Sequence, residues 1–152
     1  MASTIVYTGN EFKIALKKWA DSTAEKLDAL ARQVAQEVAQ NVVEDTPVDT
    51  GFLRSSWQPS LNEPNFNSAP RPPLPGRVPH SGAVFDSSQA QITIAAVVKD
   101  FKAGDVFYMT NGANYGLFVE FGTSKMAGRF FVTANMKKIP QIVNRLAKEL
   151  QL

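Results

Sequence analysis

The chain reads as an α+β fold: a small antiparallel sheet packed by a long N-terminal helix and a C-terminal helix, with a long proline-rich loop. Three observations predict it. Apolar residues recur at helical spacing near both ends, short β-branched and aromatic runs lie between them, and seven of the nine prolines fall in one connection. With 152 residues the chain is long enough for one domain with a real core and short for two, so residues 1–152 are expected to form a single domain.

From Asn10 to Val43 the apolar positions are Phe12, Leu16, Trp19, Leu27, Leu30, Val34, Val38 and Val42, with Thr23 filling the one gap. That is the period of an amphipathic helix. Asn10 is the candidate N-cap. No Pro or Gly interrupts the run, so the helix reaches about 50 Å at 1.5 Å per residue. Such a rod exceeds what one small domain covers. Its outer part is expected either to meet a neighbouring subunit or to break near Asp21–Thr23, where helix propensity dips. Pro47 ends it, because the residue before a proline is pushed out of the α region. Glu44 and Asp45 then stand where the macrodipole disfavours negative charge, which calls for solvation or for a cation such as Arg54 or Arg129.

Asp49, Thr50 and Gly51 read as a turn, with Gly51 free to take positive φ, and Leu53–Trp57 as the first strand. Residues 58–90 hold the prolines at 59, 64, 70, 72, 73, 75 and 79, which excludes a helix or a central strand. A connection of this kind is either disordered or an arm that docks on another protein, since proline lowers the entropy lost on ordering. Gln91–Val98 is β-branched and reads as a strand. Val106–Thr110 would be its partner, across a turn containing Asp100 and Gly104. Tyr115–Phe121 fits both periods and is read as a short helix. Phe131, Met136, Ile139, Ile142, Val143, Leu146 and Leu150 mark the last amphipathic helix, with Pro140 a candidate kink.

Composition narrows the function classes. No apolar run approaches the roughly 20 residues of a membrane span, and the first ten residues lack a secretory pattern, so no membrane association and a cytoplasmic site of synthesis are expected. The absence of cysteine removes thiol and disulfide chemistry, and zinc would have to rely on His80 with carboxylates. A net charge of +2 does not announce a nucleic-acid binder. His80 has no orienting partner pattern. Glu44, Asp45 and Asp49 form a loose acidic group without the glycine-spaced pattern of a calcium loop. The glycines at 112, 116, 122 and 128 are too irregular for a phosphate loop. Lys13, Lys17 and Lys18, and Lys137, Lys138, Arg145 and Lys148, read as solvated helix faces rather than phosphate contacts. Neither an enzyme nor a cofactor is expected.

Glu120 is the unusual residue. It sits among Phe118, Val119 and Phe121 and is costly to bury without donors or a cation. Gly122, Thr123, Ser124, Lys125 and Arg129 follow closely, so turn amides, hydroxyls or cations are the expected partners, in a bracing role.

Two separated blocks carry a resemblance. Thr46-Pro47-Val48-Asp49-Thr50-Gly51-Phe52-Leu53-Arg54-Ser55-Ser56 follows a long helix. Far downstream come Asn114-Tyr115-Gly116-Leu117-Phe118-Val119-Glu120-Phe121-Gly122-Thr123 and then Arg129-Phe130-Phe131. In this order they resemble the tail-completion family of tailed phages, similar to minor tail protein Z of lambda-like phages, over nearly the whole chain. Gly116 replaces the usual alanine, Phe130 stands where proline is common, and the proline-rich segment is enlarged. The resemblance implies a virion structural protein of the neck or head-proximal tail end. It would act as a ring, commonly a hexamer, that completes the tail and joins it to the DNA-filled head. Partners would be copies of itself, connector or stopper proteins, and tail tube or terminator proteins, with DNA passing through the channel without sequence-specific binding. Asp49, Gly51, Arg54, Tyr115, Glu120, Gly122, Thr123, Arg129 and Phe131 are the candidate interface or structural residues.

A terminator or stopper role is the alternative within that class. A small nucleic-acid-binding virion protein and a host-encoded interaction domain are the alternatives outside it.

Overall fold

In the computed structural model, residues 9–48, 51–67 and 88–152 are described. The first of them form one uninterrupted helix, α1 (Gly9–Asp45), of 37 residues, about 55 Å long. There is no break at Asp21–Thr23, where Lys17 pairs with Asp21 and the Thr23 hydroxyl donates to the Trp19 carbonyl. Asn10 lies inside the first turn rather than at the cap. The helix stops two residues before Pro47, and the amide of Thr46 donates back to Val42 and Val43.

Only the inner half of α1 is packed. Ala35, Ala39, Val42 and Val43 are buried, whereas Phe12, Leu16 and Trp19 are at least half exposed.

Leu53–Trp57 is not a strand. Gly51, at φ 83°, opens a single helical turn, α2 (Phe52–Ser55), and the hydroxyls of Ser55 and Ser56 both donate to the Phe52 carbonyl. A hydrogen-bonded turn of this kind is too short to show a period. The strand begins where the turn closes, as β1 (Trp57–Leu61). It pairs antiparallel with β2 (Phe107–Asn111), Trp57 opposite Asn111 and Leu61 opposite Phe107. Pro59 is tolerated because a two-stranded ladder leaves each strand an unpaired edge. The expected proline-rich loop thus starts later than Gln58; residues 68–87, with His80, lie outside the described residues.

Gln91–Val98 belongs to a helix, α3 (Ser88–Val98), not to the sheet. Its β-branched content suggested a strand, but β-branching costs a helix little and burial decides. Ile94 and Val98 are fully buried and Ala90 is packed beside them, at four-residue spacing, against Ala35, Ala39 and Val43 of α1. Ile92, between them, is exposed. The turn that follows uses Gly104 as expected, at φ 102°, but the acid that bonds in it is Asp105, which accepts from the Lys102 amide, rather than Asp100. Its return strand, however, pairs with β1, and the main sheet has two strands rather than three.

The short helix is present as α4 (Gly116–Phe121) and leads into a minimal hairpin, β3 (Gly122–Thr123) with β4 (Met126–Ala127). The last helix, α5 (Phe131–Glu149), continues through Pro140 and packs on α1 through Ile142 and Leu146. Arg145 ties the two helices on the outside by bonding Glu37. The fold is α+β, as expected, with two apolar clusters. One joins α1, α3 and the sheet; the other joins Phe52, Leu53, Ala113 and Phe131. Trp57 touches both, and its indole N–H donates to the buried Thr46 hydroxyl at 2.9 Å.

Candidate functional site

The candidate residues among those described gather around the place where α1 stops and α5 starts. A helix C-terminus leaves carbonyls without partners and carries partial negative charge. Arg54, projecting from α2, meets that end of α1. Its Nε and Nη2 donate to the Thr46 carbonyl at 3.0 and 2.7 Å, and Nη2 also donates to the Glu44 carbonyl at 2.8 Å. Glu44 and Asp45 are themselves exposed, as solvation requires, and the cation at this helix end is Arg54, bound to backbone carbonyls, not Arg129. Asp45 accepts instead from the Asn135 side-chain amide at 2.8 Å, with Lys138 at 3.9 Å.

A helix N-terminus presents the opposite need, for acceptors. The N-cap of α5 is Phe130, at φ 51° and ψ 32°, which supplies no side-chain cap. Glu120 of α4 does this instead. Its Oε2 accepts from the Val132 amide at 2.9 Å, and its Oε1 accepts from the Thr133 amide at 2.8 Å and the Thr133 hydroxyl at 2.5 Å. Glu120 is 5 % exposed. Burial pushes its carboxyl upward, but the Thr133 hydroxyl and the amides of Val132, Thr133 and Phe131 outweigh this and hold it below the ordinary value of 4.5. The partners are amides and a hydroxyl, as expected in kind, but they are not those of the adjacent turn, and they include neither Lys125 nor Arg129. They lie on the next helix, and the readable signal was the lack of any capping side chain before Phe131.

The hairpin makes that reach possible. The Arg129 amide donates to the Val119 carbonyl and the Phe130 amide to the Glu120 carbonyl, at 2.9 and 3.0 Å, so the chain returns directly over α4. A Cβ on Gly122, at φ 84°, would lie 2.6 Å from the Gly128 nitrogen; one on Gly128 would lie 2.7 Å from the Glu120 carbonyl oxygen. Only glycines permit this closeness. Phe130 has a conformation that proline, with φ fixed near −65°, cannot adopt.

The two sequence blocks are in contact. The Tyr115 ring lies 6.2 Å from that of Phe52, and the Asn111 side-chain amide donates to the Leu53 carbonyl at 2.7 Å. Phe131 is buried with Phe52 and Leu53. Gly51 and Gly122 are turn residues with positive φ. The Thr123 hydroxyl accepts from the Lys125 amide across the exposed hairpin tip. Arg129 contributes its amide while its side chain is exposed. Asp49 lies outside the described residues. Around this braced corner Leu117, Phe118, Phe121, Met126 and Phe130 are exposed, with the rings of Phe121 and Phe130 edge to face at 6.3 Å.

Among the described residues no group of three or more His, Cys, Asp or Glu could hold a metal, and no helix is long and apolar enough to cross a membrane. Lys13, Lys17 and Lys18 are exposed on α1, and Lys137, Lys138, Arg145 and Lys148 on α5.

A family profile described as "Bacteriophage HK97-gp10, putative tail-component" matches residues 10–122. Comparison with curated proteins and with solved structures finds no match. The chain belongs to this family of phage tail components, and it is a virion structural protein related to the tail.

Proposed function

We propose that this tail component forms a homo-oligomeric ring at the neck or head-proximal end of the tail, completing the tail and joining it to the DNA-filled head. The observation that carries the reading is the apolar corner. Leu117, Phe118 and Phe121 are 71, 57 and 61 % exposed, yet they stand on a segment fixed by the Glu120 bonds and the Gly122–Gly128 contact. A flexible loop covered with aromatics is a liability, but a rigid one is a preorganised docking surface. Subunits in a ring present different faces to one another, and rotation closes the circle. Hence Glu120, Gly122 and Thr123 hold a turn whose continuation, Lys125 to Phe130, contacts the adjoining subunit, while Phe131, buried with Phe52 and Leu53, anchors it to the core rather than meeting the neighbour. Arg54, Tyr115 and Gly51 support that corner from behind. The reading needs no catalytic group and no cofactor. DNA passes through a lumen that grips phosphates weakly, so salt-sensitive DNA binding by the assembled ring would contradict it.

Phe118→Asp and Phe121→Asp test the corner without touching its brace. Both variants are expected to fold and to lose multimerisation and virion assembly; multimers of normal size would refute the interface. Electron micrographs of particles made without the protein test the joining role. Separate, normal-length tails and filled heads are expected, whereas tails of abnormal length would assign it to termination.

A further inference from the structure

A groove of about 640 Å³ runs along the inner half of α1, walled by Leu30 and Val34 on that helix, Phe107 and Met109 on β2, and Met136 and Ile139 on α5. It is open to solvent and almost wholly apolar, with Asp105 at its margin. The same chain carries a matching ridge. Phe12, Leu16 and Trp19, spaced i, i+4 and i+7 on the outer half of α1, are 54, 50 and 67 % exposed. At 100° per residue all three fall on one face, and all three are left at least half exposed.

We propose that the outer half of α1 lays this ridge into the apolar groove of a second copy. The inference rests on the ring reading above and assigns its second contact. The ridge cannot occupy its own groove, because both belong to one continuous helix, and Trp19 is separated from the nearest groove residue, Leu27, by about 12 Å of rigid rod. An amphipathic helix with anchors at this spacing is what an apolar groove accepts. Charge allows it: Lys13 flanks the ridge on one side, with Glu11 on the other, and Asp105 is the one charged residue among those lining the groove, so the lysine side faces Asp105. Made reciprocally, a contact that joins the outer half of one helix to the inner half of the next would close a two-fold dimer; made in one direction only, as the ring reading requires, it is heterologous and propagates head to tail, closing into a ring or extending into a filament.

The chain has no cysteine, so a designed pair gives an unambiguous test in the full-length protein and in assembled particles. Leu16→Cys with Met136→Cys is expected to form intermolecular disulfides on oxidation, giving a ladder of multimers, while neither single substitution does. Trp19→Asp, on an exposed position, is expected to keep the helical circular dichroism of the parent and weaken self-association by about 100-fold. Multimers that form without the Leu16–Met136 link, or a disulfide between two Leu16→Cys copies, would overturn the groove assignment and leave the ring standing. A link between Met136→Cys and Pro72→Cys within one chain, made in place of the Leu16→Cys pair, would overturn it in favour of the proline-rich segment. A protein that stays monomeric at every concentration, in particles without ring density, would overturn the ring reading itself.

Discussion

Arg54 and Glu120 perform mirror-image tasks. Each projects from a short helix onto the end of a long one, and in each the sign of the charge is the one the long helix requires: a cation on the carbonyl end of α1, an anion on the amide end of α5. They differ in what surrounds them. Glu120 is buried and its oxygens are engaged by protein donors, while Arg54 is half-buried and near solvent. A missing partner is made good by water at an exposed helix end but not at a buried one. The acid site should therefore be the more fragile of the two, and substitutions can rank them.

The largest effect is expected from the hairpin that carries the acid site. Gly122→Ala places a methyl group 2.6 Å from two backbone atoms at a φ of 84°. Nothing flexible can give way, so a loss of about 4 kcal/mol in urea unfolding is expected. An unchanged midpoint would show that the hairpin does not hold Glu120 in place.

Glu120→Ala comes next. It leaves the amides of Val132 and Thr133 without their acceptors, and a loss of about 3 kcal/mol is expected. The pH dependence follows from the same bonds. The folded-state carboxyl is held below 4.5, so its contribution is fully present above the unfolded value and is lost as pH falls through the folded one. Wild-type stability should drop below about pH 4.5 more steeply than that of Glu120→Gln, which has no carboxyl to protonate. Parallel curves would remove Glu120 from the acid transition.

How much of this was legible depended on periodicity. The helices α1 and α5 were readable because their apolar spacing persists over many turns, and the turn at Gly104 because its chemistry is local. In α3, by contrast, the helical pattern runs through Ala90, Ile94 and Val98, and its first member adjoins the proline-rich segment; the β-branched run suggested a strand more strongly than three positions suggested a helix. The turn α2 is too short to have a period at all. At the site, sequence established that Glu120 needs donors but not where they are. Thr133 is thirteen residues away, and only the fold over Gly128 brings it close. The ridge at Phe12, Leu16 and Trp19 was visible as an apolar stripe, but its exposure depends on where the rest of the chain packs.

Arg54→Ala should cost less than Glu120→Ala, about 1.5 kcal/mol, because Arg54 is only half-buried and water can reach the freed carbonyl of the exposed Glu44, even though that of the buried Thr46 loses its donors. Arg54→Lys should recover only part of this, since an ammonium cannot reproduce the fork that spans both carbonyls. A loss equal to that of Glu120→Ala would show that burial does not distinguish the two ends.

Gly116→Ala is the smallest expected change and the sharpest control. Gly116 opens α4 at the joint between the two motif blocks, yet an added Cβ meets only the Leu53 side chain, at 3.4 Å, which is ordinary contact. Unlike Gly122 it has no positive φ to protect. Alanine restricts the unfolded chain and favours the helix, so a gain of about 0.5 kcal/mol is expected from thermal or urea unfolding. Two glycines at either end of one six-residue helix should thus respond in opposite directions. If Gly116→Ala destabilises as Gly122→Ala does, close packing against Leu53 outweighs backbone conformation at this corner, and the Glu120 site depends on the fit between the two blocks as well as on its own hydrogen bonds.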